Sequence, residues 1–182
     1  MKHIWLPLIF FLLLSLTNCN NNQISSDLDS DTTVYESTVI FLTRHAEKDT
    51  VGRDPELSEK GRKRVEVLTN MLKNVKFDAV YSTNYLRTIQ TVRPIAELNS
   101  LVIMPYEAQM PPEKFSEQLL NDEKGNTILI SGHSNTIPFI VNSLMGFSEL
   151  GQLDENQYGD LFMIIISGNN KELITLNQPI ID

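Results

Sequence analysis

The chain has a single cysteine, Cys19, in 182 residues, which excludes an internal disulfide framework and any cysteine-rich zinc cluster. Basic residues are few: 15 Lys+Arg stand against 23 Asp+Glu, a formal net charge of -8. That balance excludes a general nucleic-acid-binding surface, so any anion site has to be local. Histidine is limited to three positions, and there is no internal repeat. The composition that remains, 41% hydrophobic and 21% charged, suits one compact domain and argues against a disordered chain.

The apolar run from Ile4 to Leu16, interrupted by Pro7 and Ser15, follows Met1-Lys2-His3. It falls short of the ~20 residues that span a bilayer and reads as a signal peptide, residues 1–18. Leu16-Thr17-Asn18-Cys19 resembles the bacterial lipobox, with Asn18 where a small residue is usual; the resemblance implies lipidation of Cys19 and its exposure as the first mature residue. A secreted protein without lipid is the alternative. Loss of residues 1–18 removes only Lys2 among the charges, leaving 14 Lys+Arg against 23 Asp+Glu, net -9. Residues 19–37 are dominated by Asn, Ser, Asp and Thr, too polar to pack a core, and read as a flexible tether ahead of a domain at 38–182. The expected location is a bacterial membrane reached through lipidated Cys19. Asn20 supplies no acidic retention signal, which points to the outer membrane, facing the periplasm.

From Thr38 onward strands and helices alternate. Val39–Leu42 reads as a buried strand, Ser58 as the cap of a helix with Val65, Leu68, Leu72 and Val75 on one stripe, and Phe77–Tyr81 as a second strand. A helix with Leu86, Ile89 and Val92 follows, then a strand at Leu101–Pro105. A helix opened by Pro111-Pro112 and closed by Gly125, a strand at Thr127–Ser131 and a helix from Ile137 to Leu144 come next. Leu161–Ile166 and Leu173–Leu176 form a final hairpin around Gly168-Asn169-Asn170. This order predicts an α/β three-layer sandwich, a mostly parallel sheet flanked by helices, with a possible antiparallel edge.

In open sheets of this kind ligands bind beyond the carboxyl ends of the strands. Arg44, His45 and His133 each follow a predicted strand, and Arg87 lies just beyond another, so four basic groups can converge on one crevice. Free backbone N–H groups at helix starts near Asn84 and Asn135 would reinforce an anion site there. A single histidine or arginine at a strand end is more often a cap; two histidines and two arginines at strand ends point to phosphate chemistry. Two histidines without cysteine make a poor zinc set, and no metal or other cofactor is expected.

These residues carry a resemblance. Leu42-Thr43-Arg44-His45-Ala46-Glu47-Lys48 resembles the Arg-His-Gly motif of the histidine phosphatase (phosphoglycerate-mutase-like) superfamily, with Ala46 in place of the glycine as in short phosphohistidine-phosphatase-like members. Leu57-Ser58-Glu59-Lys60-Gly61, Tyr81 to Thr91 around Arg87, and Ser131-Gly132-His133-Ser134-Asn135-Thr136 match its later motifs in order. The resemblance implies that His45 attacks phosphorus and becomes phosphohistidine, and that Arg44, Arg87 and His133 bind the phosphoryl oxygens of a small phosphorylated substrate. Glu107 is the implied candidate for the acid, with Glu113 in reserve. Two alternatives share these residues: a non-catalytic anion-binding lipoprotein and a mutase-type phosphotransferase. A serine-hydrolase reading of Ser134 fails because no histidine follows it in the chain.

Overall fold

The computed structural model describes residues 36–179; the expected signal peptide, Cys19 and most of the expected tether lie outside the described residues. Strand β1 (Thr38–Arg44) is the β-branched apolar run with its polar end included. Helix α1 (Glu59–Leu72) begins where the Ser58 hydroxyl accepts the Gly61 N–H at 3.1 Å, satisfying a donor that the first turn leaves free. Strand β2 (Ala79–Thr83) starts and ends two residues later than the apolar pattern predicts. Its ladder with the neighbouring strand begins at Ala79, while Phe77 turns inward against Phe41 at a ring distance of 5.5 Å. Helix α2 (Leu86–Leu98) contains Pro94 and has no side-chain cap from Tyr85; the Asp54 carboxylate accepts the Leu86 N–H at 3.1 Å and 3.2 Å.

Strand β3 (Ile103–Tyr106) and helix α3 (Pro112–Asp122) follow, the helix using Pro112 in its first turn, where a missing N–H costs nothing. Strand β4 (Thr127–Gly132) leads to helix α4 (Ile137–Met145), which stops at Gly146 with φ +82°. That left-handed conformation is the ordinary helix exit and favours glycine. Strands β5 (Asp160–Ser167) and β6 (Asn170–Asn177) form the closing hairpin.

The six strands lie in the order β3-β2-β4-β1-β5-β6. The first four run parallel to one another, and β5 lies antiparallel beside β1 with β6 at the edge. Side chains alternate across the sheet as strand geometry requires. Ile40 and Leu42 of β1 join Ile128 and Ile130 of β4 under α3 and α4, while Phe41 and Leu129 face Leu68, Val92 and Ile95 of α1 and α2. Two apolar layers thus enclose β1, β2 and β4 and hold their carboxyl ends at one rim.

Just past β1, residues 47–49 are secured to the entry of α1. Lys48 bridges antiparallel to Leu57, Ser58 N–H donates to the Glu47 carbonyl at 2.9 Å, and Asp49 N–H donates to the Glu56 carbonyl at 2.8 Å. Glu47 also pairs with Arg64 through two hydrogen bonds of 2.6 Å and 2.7 Å. Gly61 permits this approach, because a Cβ there would overlap the Glu47 carbonyl oxygen. We therefore expect Gly61→Ala to destabilise the domain by about 1–3 kcal/mol, the usual cost of overpacking. Chemical denaturation of the two proteins checks this, and an unchanged midpoint would refute the close approach.

Candidate active site

The parallel pairing of β1 with β4 puts Arg44 opposite Gly132. One step beyond, the His45 N–H donates to the Gly132 carbonyl at 2.9 Å, and the next residue of β4's exit is His133. The two imidazoles meet edge to face with centroids 5.5 Å apart. Arg44, His45, Arg87 and His133 line one cavity of about 380 Å³, together with Lys48, Tyr85, Gln109 and Glu155 among others. The structure thus brings the four basic residues read from the sequence to a single crevice at the carboxyl rim.

His45 is 4% exposed, and its Nδ1 lies 2.7 Å from the Ala46 carbonyl. A carbonyl only accepts, so Nδ1 carries the proton and Nε2 holds the lone pair in the neutral ring. Burial pulls the His45 pKa down to about 3; the Arg87, His133 and Arg44 charges act the same way, against the opposing hydrogen bond to Ala46. Small size at position 46 is used: Ala46 is buried with Leu57 and Val65, and its N–H donates to Thr91 Oγ1 at 2.9 Å.

His133 is fixed from both sides. Arg87 lies 3.4 Å from Nδ1 and donates to it, so the Nε2–H donates to Thr83 Oγ1 at 2.9 Å. Thr83 in turn contacts Thr88 at 3.0 Å, and Thr88 sits 2.8 Å from the Thr83 carbonyl. Thr83 belongs to β2 and is fully buried. Burial lowers the His133 pKa to about 4, aided by Arg87 and Arg44 and opposed by Asp54.

Arg44 is 5% exposed, and its Nη1 donates to the Asp154 carbonyl at 2.7 Å and the Gln157 carbonyl at 2.9 Å. Its guanidinium stacks 4.1 Å from the Tyr158 ring centroid and lies 3.5 Å from the Glu155 carboxylate. Arg87 stacks 4.5 Å from the Tyr85 centroid and pairs with Asp54 at 3.3 Å. The Nε atoms of both arginines are buried with no acceptor among the described residues, so each keeps unused donor capacity. Asp54 also occupies the start of α2, so that helix terminus does not offer the free N–H groups expected near Asn84. Ser134, Asn135 and Thr136, at the start of α4, do line the cavity.

The carboxylates are distributed differently from the sequence expectation. Glu107 is exposed and lines a separate cavity of about 260 Å³ with Tyr106, Phe115 and Leu119, while its neighbours Ala108 and Gln109 line the histidine cavity. Glu113 lies exposed in the first turn of α3 and lines neither cavity. Burial disfavours the Glu47 carboxylate, but the Arg64 hydrogen bonds, a backbone hydrogen bond and the Arg64 and Lys60 charges together outweigh it and hold the carboxyl below the usual range. Glu155, 74% exposed, is the acidic side chain on the wall of the histidine cavity. It comes from residues 146–159 between α4 and β5, as do Gln152 and Tyr158. No periodic signal marks that segment in the sequence, although a connection of this length without its own element is uncommon and often functional. Among the described residues no group of three or more His, Cys, Asp or Glu is placed to hold a metal ion.

The family model for the histidine phosphatase superfamily (branch 1) matches residues 40–110. Phosphoserine phosphatase 1 of Hydrogenobacter thermophilus is 38% identical over 72 residues, a match covering 36% of this chain and 34% of that protein, so the chain spans about a third of the curated relative's length. Phosphoserine phosphatase from Entamoeba histolytica superposes with a TM-score of 0.59 at 16% identity, covering 78% of this chain and 98% of that one. Mycobacterial glucosyl-3-phosphoglycerate phosphatase gives 0.62 at 14% identity, over 79% of this chain and 100% of that one. Phosphoglycerate mutase from Bacillus anthracis gives 0.57 at 14% identity, over 78% and 93%. Structural likeness at such identities speaks for the fold alone. The sequence match is more specific, because residues 40–110 include the strand-end Arg44-His45 pair, the capped entry of α1 and Arg87. On that ground residues 40–110 are similar in sequence to the histidine phosphatase superfamily (branch 1), and the domain shares that superfamily's fold.

Proposed function

We propose that the domain hydrolyses phosphate monoesters through a phosphohistidine on His45. The observation that carries this reading is the state of His45: buried, neutral, and with Nδ1 tied to Ala46 so that Nε2 keeps its lone pair inside a cavity lined by two arginines. A protein that only bound anions would gain more from a protonated histidine there. The name of the curated relative, a phosphoserine phosphatase, favours a small phosphomonoester, although it matches only part of that protein.

In the first step Nε2 of His45 attacks phosphorus and the bond to the leaving oxygen breaks. Arg44 and Arg87 hold the phosphoryl oxygens in a water-poor site where fixed donors count for most. The arriving negative charge raises the proton affinity of His133, which then donates from Nδ1. The same charge competes with the Glu155 carboxylate for Arg44. We assign Glu155 the proton that passes to the leaving oxygen. In the second step water attacks phosphorus, Glu155 takes a proton from it, the P–N bond breaks, and the electron pair returns to Nε2 as inorganic phosphate forms.

His45→Ala is expected to abolish an acid-labile, alkali-stable phosphoenzyme and to reduce turnover of 4-nitrophenyl phosphate to background. Trapping with labelled substrate reads both, and near-normal turnover in this variant would refute the nucleophile. The acid is tested by rapid-quench measurement of phosphoenzyme formation with an alkyl and a nitrophenyl phosphate. Glu155→Gln should slow the alkyl substrate by about 10²–10⁴-fold and the nitrophenyl substrate far less, because nitrophenolate departs without a proton. Glu107→Gln should affect both alike. A leaving-group-dependent loss confined to Glu107→Gln would return the role to the residue implied by the sequence resemblance.

We further propose that the enzyme works at a membrane surface, carried by lipid on Cys19 and the polar segment that follows. Tethering of this kind needs the acyl chains, since the polar segment has no apolar surface to insert. Cys19→Ser should lose incorporation of labelled fatty acid and leave the membrane fraction. Equal labelling of the variant would overturn the proposal.

A further inference from the structure

We infer that Lys48 determines leaving-group specificity, and that the substrate carries a second anionic group, a carboxylate or a second phosphate, on the portion that departs. This rests on the phosphatase reading and adds to it the chemical class of the leaving group.

Arg44 faces Glu155 at 3.5 Å and Arg87 faces Asp54 at 3.3 Å, so each arginine has a carboxylate. Lys48 lines the same cavity, and among the described residues no carboxylate lies within salt-bridge distance of it. The phosphoryl oxygens are already supplied with donors by the two arginines and His133. A neutral leaving group would give Lys48 nothing to do.

Its placement suits a leaving group. In-line attack sends the departing oxygen away from the nucleophile, and His45 is 4% exposed at the base of the cavity while Lys48 is exposed at its margin. The backbone at Lys48 is held firmly: the bridge to Leu57, the flanking hydrogen bonds to Glu56 and Ser58, the Glu47–Arg64 pair and the close approach at Gly61 all bear on residues 47–49. The flexible part is therefore the four-carbon stem alone. A cavity of about 380 Å³ is at the small end of ligand sites, which fits a compact metabolite.

The test uses a matched pair, 3-phosphoglycerate and glycerol 3-phosphate, in which a carboxylate is exchanged for a hydroxymethyl group. A second pair, propane-1,3-diyl bisphosphate and n-propyl phosphate, asks the same of a second phosphate. Binding is measured by calorimetry on His45→Ala, which keeps the surrounding cations and cannot turn over, so a failure of hydrolysis and a failure of selectivity are read separately. Native selectivity for the anionic member of at least one pair should be about five- to tenfold. It should fall to near unity with Lys48→Met and be recovered with Lys48→Arg; whichever pair responds identifies the second anion. A ratio near unity before Lys48 is changed, or one that survives Lys48→Met, would overturn the inference. Equal weakening of both members of a pair would overturn it too, by assigning Lys48 to the phosphoryl group.

Discussion

The site depends on one piece of backbone: the parallel ladder between β1 and β4, which runs in register to Arg44 and Gly132. Because two adjacent strands leave the sheet at the same level, His45 and His133 emerge side by side without any direct bond between them. The ladder is continued by the His45 N–H to the Gly132 carbonyl, so the backbone at His45 is still part of the sheet. Gly132 itself is constrained, since a Cβ would lie 2.5 Å from the Tyr106 hydroxyl and 2.8 Å from Thr136 Oγ1. A slip of one residue would turn every side chain to the other face and separate the histidines.

Around that ladder the chain solves an electrostatic problem. It is acidic overall, yet buries the Arg44 guanidinium and half-buries that of Arg87 beside two imidazoles. Arg44 is held by two carbonyls and an aromatic face, so its position does not depend on the one exposed carboxylate nearby. Arg87 is held by Asp54 and Tyr85. The cost of these burials falls on the histidines, which stay neutral because protonating them would add charge to an already positive and poorly solvated pocket. Neutrality is what a phosphorus-directed nucleophile needs, so the arrangement that would prepare the proposed anion site would also prepare the proposed nucleophile.

The segments flanking this centre divide the remaining work. Residues 47–49 are bound tightly to the start of α1 and carry Lys48 to the cavity margin, whereas residues 146–159 wrap over Arg44 and bring Glu155 and Tyr158. The first is rigid because a glycine allows two backbones to touch. The second is held by its own carbonyls accepting from a buried cation, which ties the loop's position to the charge it covers.

The sequence by itself determined the alternation of elements, since apolar spacing and capping residues such as Ser58 and Gly146 act locally. It also determined which basic groups stand at strand ends, because Arg44-His45 and His133 directly follow apolar β-branched runs. The strand order, with β4 inserted between β1 and β2 and β5 antiparallel beside β1, was decided only in the folded chain. So was the distribution of carboxylates. Glu107 sits in a loop next to residues that reach the cavity, and whether it or Ala108 faces inward depends on how β3 and α3 pack. Glu155 is brought to the cavity by a connection with no periodic signal, whose course follows from hydrogen bonds to Arg44 more than a hundred positions away. Local patterns encode elements and their ends; the side chain that faces a given cavity is set by long-range packing, which no short window of sequence contains.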